Sequence, residues 1–208
     1  MKYTLILLLF ALVACTTPEM GDTASGEFAV EGLYPITHSG FAEAYARRDA
    51  GLASYRVVDI EALGVSDIDI PNTAVAATLK RDWQMTSQRQ AAMQQTWAAA
   101  MAKAFSGYGQ AVSGEGVLRI ASKLTRIAPG MSTAVTVGGA LQPAGSSRDA
   151  VQISAEFRLY DGGDGNLLAV IRDSRTVTSV AMSRTSPVTM KLLLESWAAL
   201  LHTRISGK

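Results

Sequence analysis

Two histidines, His38 and His202, are the only imidazole side chains in this chain of 208 residues. Imidazole is the usual general base of a hydrolytic triad, and His38 lies directly before Ser39 and Gly40 in a predicted loop. His202 lies near the C-terminus on a predicted helix, and the sequence has no Gly-x-Ser-x-Gly nucleophile elbow. His38 is therefore the better candidate centre for hydrolysis, and a hydrogen-bonded loop residue is the alternative interpretation.

A second group of potential ligands is the segment Asp161-Gly-Gly-Asp-Gly-Asn166. Calcium loops of the EF-hand type place oxygen ligands at their first, third and fifth positions, but the third and fifth positions here are Gly163 and Gly165. Because Gly and Asn accept positive φ angles, the segment is typical of a hairpin turn. With a single cysteine, a zinc site built on His and Cys is nearly excluded. We predict no metal site, no cofactor site and no catalytic residues.

The single cysteine, Cys15, comes directly after ten uncharged, apolar residues, 5–14, and the one basic side chain before them is Lys2. A transmembrane helix needs about 20 apolar residues, so this run is too short to be one. A short apolar run with a basic residue before it is typical of an export signal. An exported domain with one unmodified thiol would carry a reactive group, and this favours modification of Cys15.

The tetrapeptide Leu12-Val-Ala-Cys15 resembles the lipobox of bacterial lipoproteins. The resemblance implies cleavage between Ala14 and Cys15, attachment of a diacylglycerol to the Cys15 sulfur and acylation of the new terminal amine. Two or three acyl chains anchor a protein stably, since each buried methylene contributes about 0.8 kcal/mol. In lipoproteins an aspartate after the cysteine commonly marks inner-membrane retention. Thr16 stands there instead, so the resemblance favours the outer membrane, with the body facing the periplasm. The alternative is an ordinary secretory signal or a buried core segment.

The rest of the chain is neutral. Lys2 lies in the predicted leader, so the remaining basic side chains equal the acidic ones in number. Nucleic-acid binding, which requires a basic face, is therefore not expected. We predict a signal peptide over residues 1–14, a lipidated cysteine and flexible tether over residues 15–32, and one globular domain over residues 33–208. A coil of the tether's length spans about 20 Å, so the body is expected to stand off the bilayer.

Hydrophobic periodicity predicts two helices and several strands. Apolar side chains recur in steps of four over residues 84–105, which predicts an amphipathic helix, and Ser186-Pro187 predicts the start of a C-terminal helix. The predicted strands are residues 55–60, 65–70, 117–127, 134–141, 151–159 and 167–177. Strict alternation over residues 151–159 indicates a sheet with one buried and one wet face. We therefore predict an α+β fold, a two-layer sandwich whose mostly antiparallel sheet is covered on one face by the long central helix and the C-terminal helix.

Three features of the chain resemble a family of bacterial lipoproteins known as domain of unknown function 3313. They are His38-Ser-Gly-Phe-Ala-Glu-Ala-Tyr45 leading to Tyr55-Arg-Val-Val-Asp59, a long helix before Val117-Leu-Arg-Ile120, and Glu156-Phe-Arg-Leu-Tyr-Asp161 before Leu167-Leu-Ala-Val-Ile-Arg-Asp173. The similarity covers most of the mature chain, and the aspartate-rich segment over residues 66–70 departs from it. The family brings no catalytic residues that could be transferred to this sequence.

These features lead us to expect a non-enzymatic, lipid-anchored envelope protein whose body binds another protein or an envelope component. The alternative is an accessory of envelope transport that carries a small molecule or lipid between its helices and its sheet. A hydrolase centred on His38 is the third hypothesis. Methionine and aromatic side chains on the long helix suit a ligand groove, but core packing explains the same pattern.

Overall fold

The computed structural model describes residues 17–71, 86–132, 136–137, 140–141, 145–178 and 187–208. Within these ranges the fold is α+β, with an open, mostly antiparallel sheet of eight strands and two α-helices. The strands are β1 (Glu19–Met20), β2 (Tyr34–Thr37), β3 (Glu43–Ala46), β4 (Val57–Ile60), β5 (Gly109–Gln110), β6 (Val117–Ser132), β7 (Thr136–Val137), β8 (Ala140–Leu141), β9 (Gly145–Asp161) and β10 (Leu167–Thr178). The helices are α1 (Ser87–Ala104) and α2 (Pro187–Ser206).

The sheet has the strand order β1-β2-β3-β10-β9-β6-β4-β5, and β7 pairs separately with β8. Strand β4 runs parallel to its neighbours β5 and β6, while the other pairings are antiparallel. Strands β6 and β9 are the longest and lie side by side near the middle of the sheet. No helix in the described ranges is long and apolar enough to cross a membrane.

Helix α1 begins after Thr86, whose hydroxyl accepts a hydrogen bond from the Arg89 backbone N–H at 3.2 Å, as expected of an N-cap. The predicted four-residue spacing is confirmed, since Met93, Trp97 and Met101 are buried. The predicted first residues of this helix, 84 and 85, lie outside the described ranges. The same is true of Ser186, the predicted N-cap of α2.

The core forms where both helices meet strand β9. The Phe157 ring stacks against Trp97 of α1 at a centroid distance of 5.8 Å, and it meets Trp197 of α2 edge-on, also at 5.8 Å. All three side chains are almost fully buried. Both helices therefore contact the face of the sheet that carries Phe157. The odd-numbered residues of the predicted alternation are buried here, which confirms the alternation: Val151, Ile153, Ala155, Phe157 and Leu159.

The prediction of a flexible tether over residues 15–32 is wrong for its described part, residues 17–32. Strand β1 pairs with β2, with Glu19 opposite Thr37. Further along, Phe28 is buried together with Leu33 of the following segment and Val170 of β10. Isolated apolar residues in a polar segment have no periodicity, so the sequence pattern does not reveal that they pack. The folded body therefore begins before residue 33.

The strand predictions need three further corrections. Residues 65–70 do not form a strand, and the segment meets β6 through isolated parallel bridges at Gly64 and Asp69. The predicted strand over residues 134–141 is two short strands, β7 and β8, in its described part. Strands β1, β2 and β3 were not predicted, because strands of two to four residues are too short to show alternation.

Candidate functional site

One face of the sheet carries charges that alternate in sign from strand to strand. The backbone register aligns Glu43 of β3, Arg172 of β10, Glu156 of β9 and Lys123 of β6. We call these four residues the charged row. Side chains alternate between the two faces of a strand, so Glu156 points away from its neighbour Phe157 and from the helices. The charged row therefore lies on the face opposite the helical core.

Glu156 is the centre of the charged row, and its side chain is only 6% exposed. It accepts hydrogen bonds from the Nε atoms of Arg158 and Arg172, each at 2.9 Å, and Lys123 Nζ lies 3.1 Å away. Burial opposes ionisation of this carboxyl, but the bonds from Arg172, Lys123 and Arg158 outweigh it and lower the pKa of Glu156 to about 2. Glu156 is thus an anion near neutral pH, with no proton to donate there and only weak basicity.

The N-terminal segment completes the ion pairs of this face. Both Glu27 carboxylate oxygens accept hydrogen bonds from the terminal nitrogens of Arg172, at 2.6 and 2.8 Å. These bonds lower the pKa of Glu27. The Phe28 ring lies 5.2 Å from the Arg172 guanidinium carbon, within reach of a cation–π interaction, and 5.2 Å from the Tyr45 ring. Arg172 is therefore shared by carboxylates from β3, β9 and the N-terminal segment.

A cleft of about 290 Å³ lies beside the charged row. It is lined by Ala42, Glu43, Thr125, Ser154, Ala155, Glu156, Arg172, Asp173 and Ser174. The hydroxyl oxygens of Ser154 and Ser174, on neighbouring strands, are 3.1 Å apart and share a hydrogen bond. Hydroxyl groups and charges of both signs therefore lie along one small concave surface.

The chemistry that this cleft offers follows from its lining. A serine nucleophile needs a base within hydrogen-bond reach. The hydroxyls of Ser154 and Ser174 bond to each other, and the Glu156 carboxylate bonds to Arg158, Arg172 and Lys123. The described lining residues therefore offer hydrogen bonds and fixed charges to a bound molecule.

Asp173 fixes one rim of the cleft to the helical layer. Its buried carboxylate accepts hydrogen bonds from Trp197 Nε1 at 2.7 Å, from the Ala42 backbone N–H at 3.0 Å and from Arg175 Nε at 2.6 Å. A buried charge is tolerated only when it is paired and hydrogen-bonded, and these three donors meet that condition. Asp173 therefore ties helix α2 and the start of β3 to strand β10.

The structure places His38 in the loop between β2 and β3. The His38 backbone has φ 54, and its carbonyl oxygen accepts a 3.5 Å contact from Arg204. The Ser39 hydroxyl accepts a hydrogen bond from the Phe41 backbone N–H at 3.2 Å. In the described part of the chain, neither a carboxylate nor a serine hydroxyl hydrogen-bonds to the His38 imidazole. His202 packs elsewhere, edge-on against Phe105 at 5.3 Å.

The segment after Asp161 is a turn between β9 and β10, which confirms the hairpin interpretation. The Gly165 backbone N–H donates to the Asp161 carbonyl at 2.9 Å, and Gly165 has φ 75. The Asp161 carboxylate accepts hydrogen bonds from the Gly163 backbone N–H at 2.7 Å and from the Tyr55 hydroxyl at 2.5 Å. Burial and this carboxylate raise the pKa of Tyr55. The described residues contain no cluster of three or more metal-ligating side chains.

The charged row was not predicted from the sequence, although Glu156 and Arg172 lie in the segments that resemble the lipoprotein family. The signal present in the sequence is alternation, which puts Glu156 and Arg158 on the wet face of a predicted strand. What is missing is the pairing register of β6 with β9, and nothing in the local sequence specifies it. The predicted modification site, Cys15, lies outside the described residues.

Scans against models of protein families and against curated proteins give no match. Solved structures with similarity include a PelC dodecamer from Paraburkholderia phytofirmans, with 9% identity over 71% of this chain and 89% of that one, at a TM-score of 0.37. An uncharacterized protein has 15% identity, and the match covers 73% of this chain and 90% of that one at a TM-score of 0.36. A minor lipoprotein from Acinetobacter baumannii has 11% identity, and the match covers 74% of this chain and 94% of that one at a TM-score of 0.31. At these scores the similarities assign neither a function nor an assembly to this chain.

Proposed function

We propose that this chain is a lipid-anchored protein of the bacterial cell envelope, held at the periplasmic face of the outer membrane. Its body binds another protein or an envelope component without catalysing a reaction. The observation that carries the binding role is the cleft beside the charged row, where Glu156 is fixed as an anion by Arg172, Lys123 and Arg158. The export signal and the Leu12-Val-Ala-Cys15 pattern support the anchor.

The charges around the cleft also suggest the chemistry of the partner. Carboxylates and cations are closely matched there, since Glu27, Glu43 and Glu156 all contact Arg172 while Lys123 also contacts Glu156. A surface balanced in this way attracts neither simple anions nor simple cations strongly. It suits a polar partner surface that presents both signs of charge and hydrogen-bonding groups to the serines.

A two-layer arrangement of the body is part of this proposal. Contacts of Phe157 with Trp97 and Trp197 support helices that cover one face of the sheet. The opposite face, with the charged row, would then be available to a partner. This arrangement accounts for the different composition of the two faces of β9.

The carrier hypothesis receives less support from the packing. The space between helices and sheet is filled, where they meet, by Trp97, Phe157 and Trp197. The cleft beside the charged row lies on the other face. The hydrolase hypothesis lacks a base for Ser39, whose hydroxyl bonds to the backbone of Phe41. Recognition through the cleft is therefore the function that the geometry favours.

Intact mass measurement of the mature protein tests the anchor. We expect a chain that begins at Cys15 and carries a diacylglycerol and an N-terminal acyl chain. Cys15→Ser is expected to abolish both lipidation and cleavage, because an alcohol does not replace the thiolate as the lipid acceptor. Thr16→Ser keeps the lipobox pattern and serves as the control. A free thiol in the mature protein, or an uncut leader, would contradict the anchor.

Photo-crosslinking in living cells tests the binding role. A photoreactive phenylalanine analogue at Thr125, which lines the cleft, is expected to give a discrete adduct with one envelope component. The matched control is the same analogue at Gln95, an exposed position on α1. Equal labelling from both positions would count against a cleft-specific partner. Absence of any adduct, together with a stoichiometric lipid in the purified protein, would favour the carrier instead.

A further inference from the structure

Strand β10 extends beyond the strand that covers its outer edge. Strand β3 pairs with β10 as far as Glu43 opposite Arg172. Strand β9 continues to pair along the other edge of β10 up to Thr178. In the described ranges, no strand pairs with the β3 side of β10 after Arg172. We call the β3 side of residues 174–176 the free edge.

The hydrogen-bond pattern shows which backbone groups point to the free edge. The Arg47 N–H donates to the Leu168 carbonyl at 2.9 Å, so the backbone groups of Leu168 face β3. In an antiparallel pair, the residues that exchange such bonds alternate along each strand. The even-numbered residues of β10 therefore face the β3 side, and the two that follow Arg172 are Ser174 and Thr176. Their N–H and carbonyl groups bond to no described backbone group, and Thr176 is exposed.

The residues that precede β3 turn away from the free edge towards the helices. The Ala42 backbone N–H donates to the Asp173 carboxylate at 3.0 Å, and this carboxylate also accepts a hydrogen bond from Trp197 of α2. The Phe41 ring lies 6.2 Å from the Phe157 ring, which is on the helix-covered face. No described residue therefore continues the line of β3 along the end of β10.

The cleft beside the charged row is next to the free edge. Ala42 and Ser174 both line it, one on each side of the point where the chain of β3 leaves β10. The Ser174 hydroxyl bonds to Ser154, and its side chain is on the same face as that of Arg172, two positions earlier. Cross-strand neighbours share a face, so a strand added beside Ser174 would place one side chain at the cleft.

The chemistry of the free edge selects the kind of partner that fits it. Alternating N–H and carbonyl groups are complementary to the backbone of another extended chain, which is how peptides add as strands to sheet edges. The partner must therefore supply a backbone of its own. The charges beside the cleft already pair with each other, since Arg172 contacts Glu43 and Glu156. A neutral hydroxyl or carboxamide side chain can bond to the serine hydroxyls without displacing these ion pairs.

We propose that the partner binds as a short extended segment of another envelope protein, which adds a strand to the free edge and places a Ser, Thr, Asn or Gln side chain in the cleft. This inference rests on the proposed binding function, because it gives the class of partner for the same cleft. It also assigns the affinity to two sources, backbone hydrogen bonds along β10 and side-chain recognition at Ser174 and Ser154.

Amide hydrogen exchange of the acylated, full-length protein in detergent tests the free edge. We expect the amides of Ser174 and Thr176 to exchange many-fold faster than those of Arg175 and Val177, which face β9. Slow exchange at all four positions would overturn the inference, because another part of the chain would then protect this edge.

Photo-crosslinking from position 125 in cells, combined with proline substitutions, tests the added strand. Thr176→Pro removes an N–H that points to the free edge and none that bonds to β9. The matched control is Gln110→Pro on β5, at the opposite edge of the sheet. The N–H groups of its neighbours Gly109 and Ala111 donate towards β4, so the Gln110 N–H points outwards.

We expect Thr176→Pro to reduce the adduct several-fold and Gln110→Pro to leave it near the wild-type level. The crosslinked peptide should belong to another envelope protein. Circular dichroism checks that both variants fold. Should Thr176→Pro fail to fold, amide exchange of the purified wild-type adduct decides instead. Adduct formation is then expected to slow exchange at Ser174 and Thr176 several-fold, and unchanged exchange would overturn the inference.

The outcomes distinguish failure of the added strand from failure of the binding role. An undiminished adduct in folded Thr176→Pro, or an equal reduction in both proline variants, would overturn the added strand and leave the binding role intact. An adduct with a second copy of this chain, a glycan or a lipid would also overturn it. Absence of any adduct in the wild-type protein would overturn the binding role and, with it, the inference.

Discussion

Replacing Phe157 by alanine is expected to lower the free energy of unfolding by about 4 kcal/mol, because Phe-to-Ala changes in a core typically cost 3–5 kcal/mol. The Phe157 ring is fully buried between Trp97 and Trp197, so its removal would leave a cavity between the sheet and both helices. Urea denaturation monitored by tryptophan fluorescence and circular dichroism measures the change.

Phe157→Leu is the matched control, since it keeps most of the apolar volume and should cost roughly half as much or less. The alanine variant should also show a red shift of the tryptophan emission relative to the leucine variant, because both indoles border the ring that is removed and become more accessible to water. If Phe157→Ala lowers the free energy of unfolding by less than about 1 kcal/mol, the packing of this ring between the two helices does not stabilise the fold as expected.

Replacing Glu156 by glutamine is expected to lower the free energy of unfolding by about 3 kcal/mol at pH 7 and to remove an acid-dependent component of stability. The pKa of Glu156 is lowered from its ordinary value of 4.5 to about 2 in the folded protein. A shift of that size corresponds to about 3 kcal/mol, at 1.36 kcal/mol for each pH unit. The variant lacks the anion that forms ion pairs with Arg172, Arg158 and Lys123.

The sign of the pH dependence follows from the direction of the shift. Because the folded pKa is lowered, the unfolded chain binds the proton first as pH falls. The contribution of Glu156 is therefore fully present above about pH 4.5 and is lost as pH falls towards 2. The stability difference between the wild-type protein and Glu156→Gln should shrink over this interval, as measured by denaturation at a series of pH values.

Glu43→Gln is the matched control for this prediction, because Glu43 also pairs with Arg172. Its side chain is half exposed and the pair is longer, at 3.6 Å, so the expected loss is below about 1 kcal/mol. Equal losses for the two variants, or an undiminished difference near pH 2, would contradict the central role of Glu156 in the charged row.

The elements that were predicted from the sequence are those with long periodic patterns. The four-residue spacing of Met93, Trp97 and Met101 predicts helix α1, and alternation around Phe157 predicts the middle of β9. These patterns arise because one side of each element is buried. They are local, so a single stretch of sequence contains all the information needed.

The parts that were not predicted depend on contacts between distant residues. Glu27 and Arg172 are separated by 145 positions, and nothing near Glu27 in the sequence indicates its partner. Strand β1 has only two residues, so it shows no alternation and its existence depends on the edge offered by β2. The charged row likewise requires the register of four strands, which the hydrophobic pattern does not specify.

The docking of the first residues onto β10 has a consequence for the order of folding during synthesis. Strand β3 pairs with β10, and Glu27 bonds to Arg172 of that strand. A ribosome completes the N-terminal residues first, yet their binding surface is among the last parts to emerge. Strand β3 and Glu27 therefore cannot reach their partners until β10 has been synthesised, and high sequence separation of this kind slows folding.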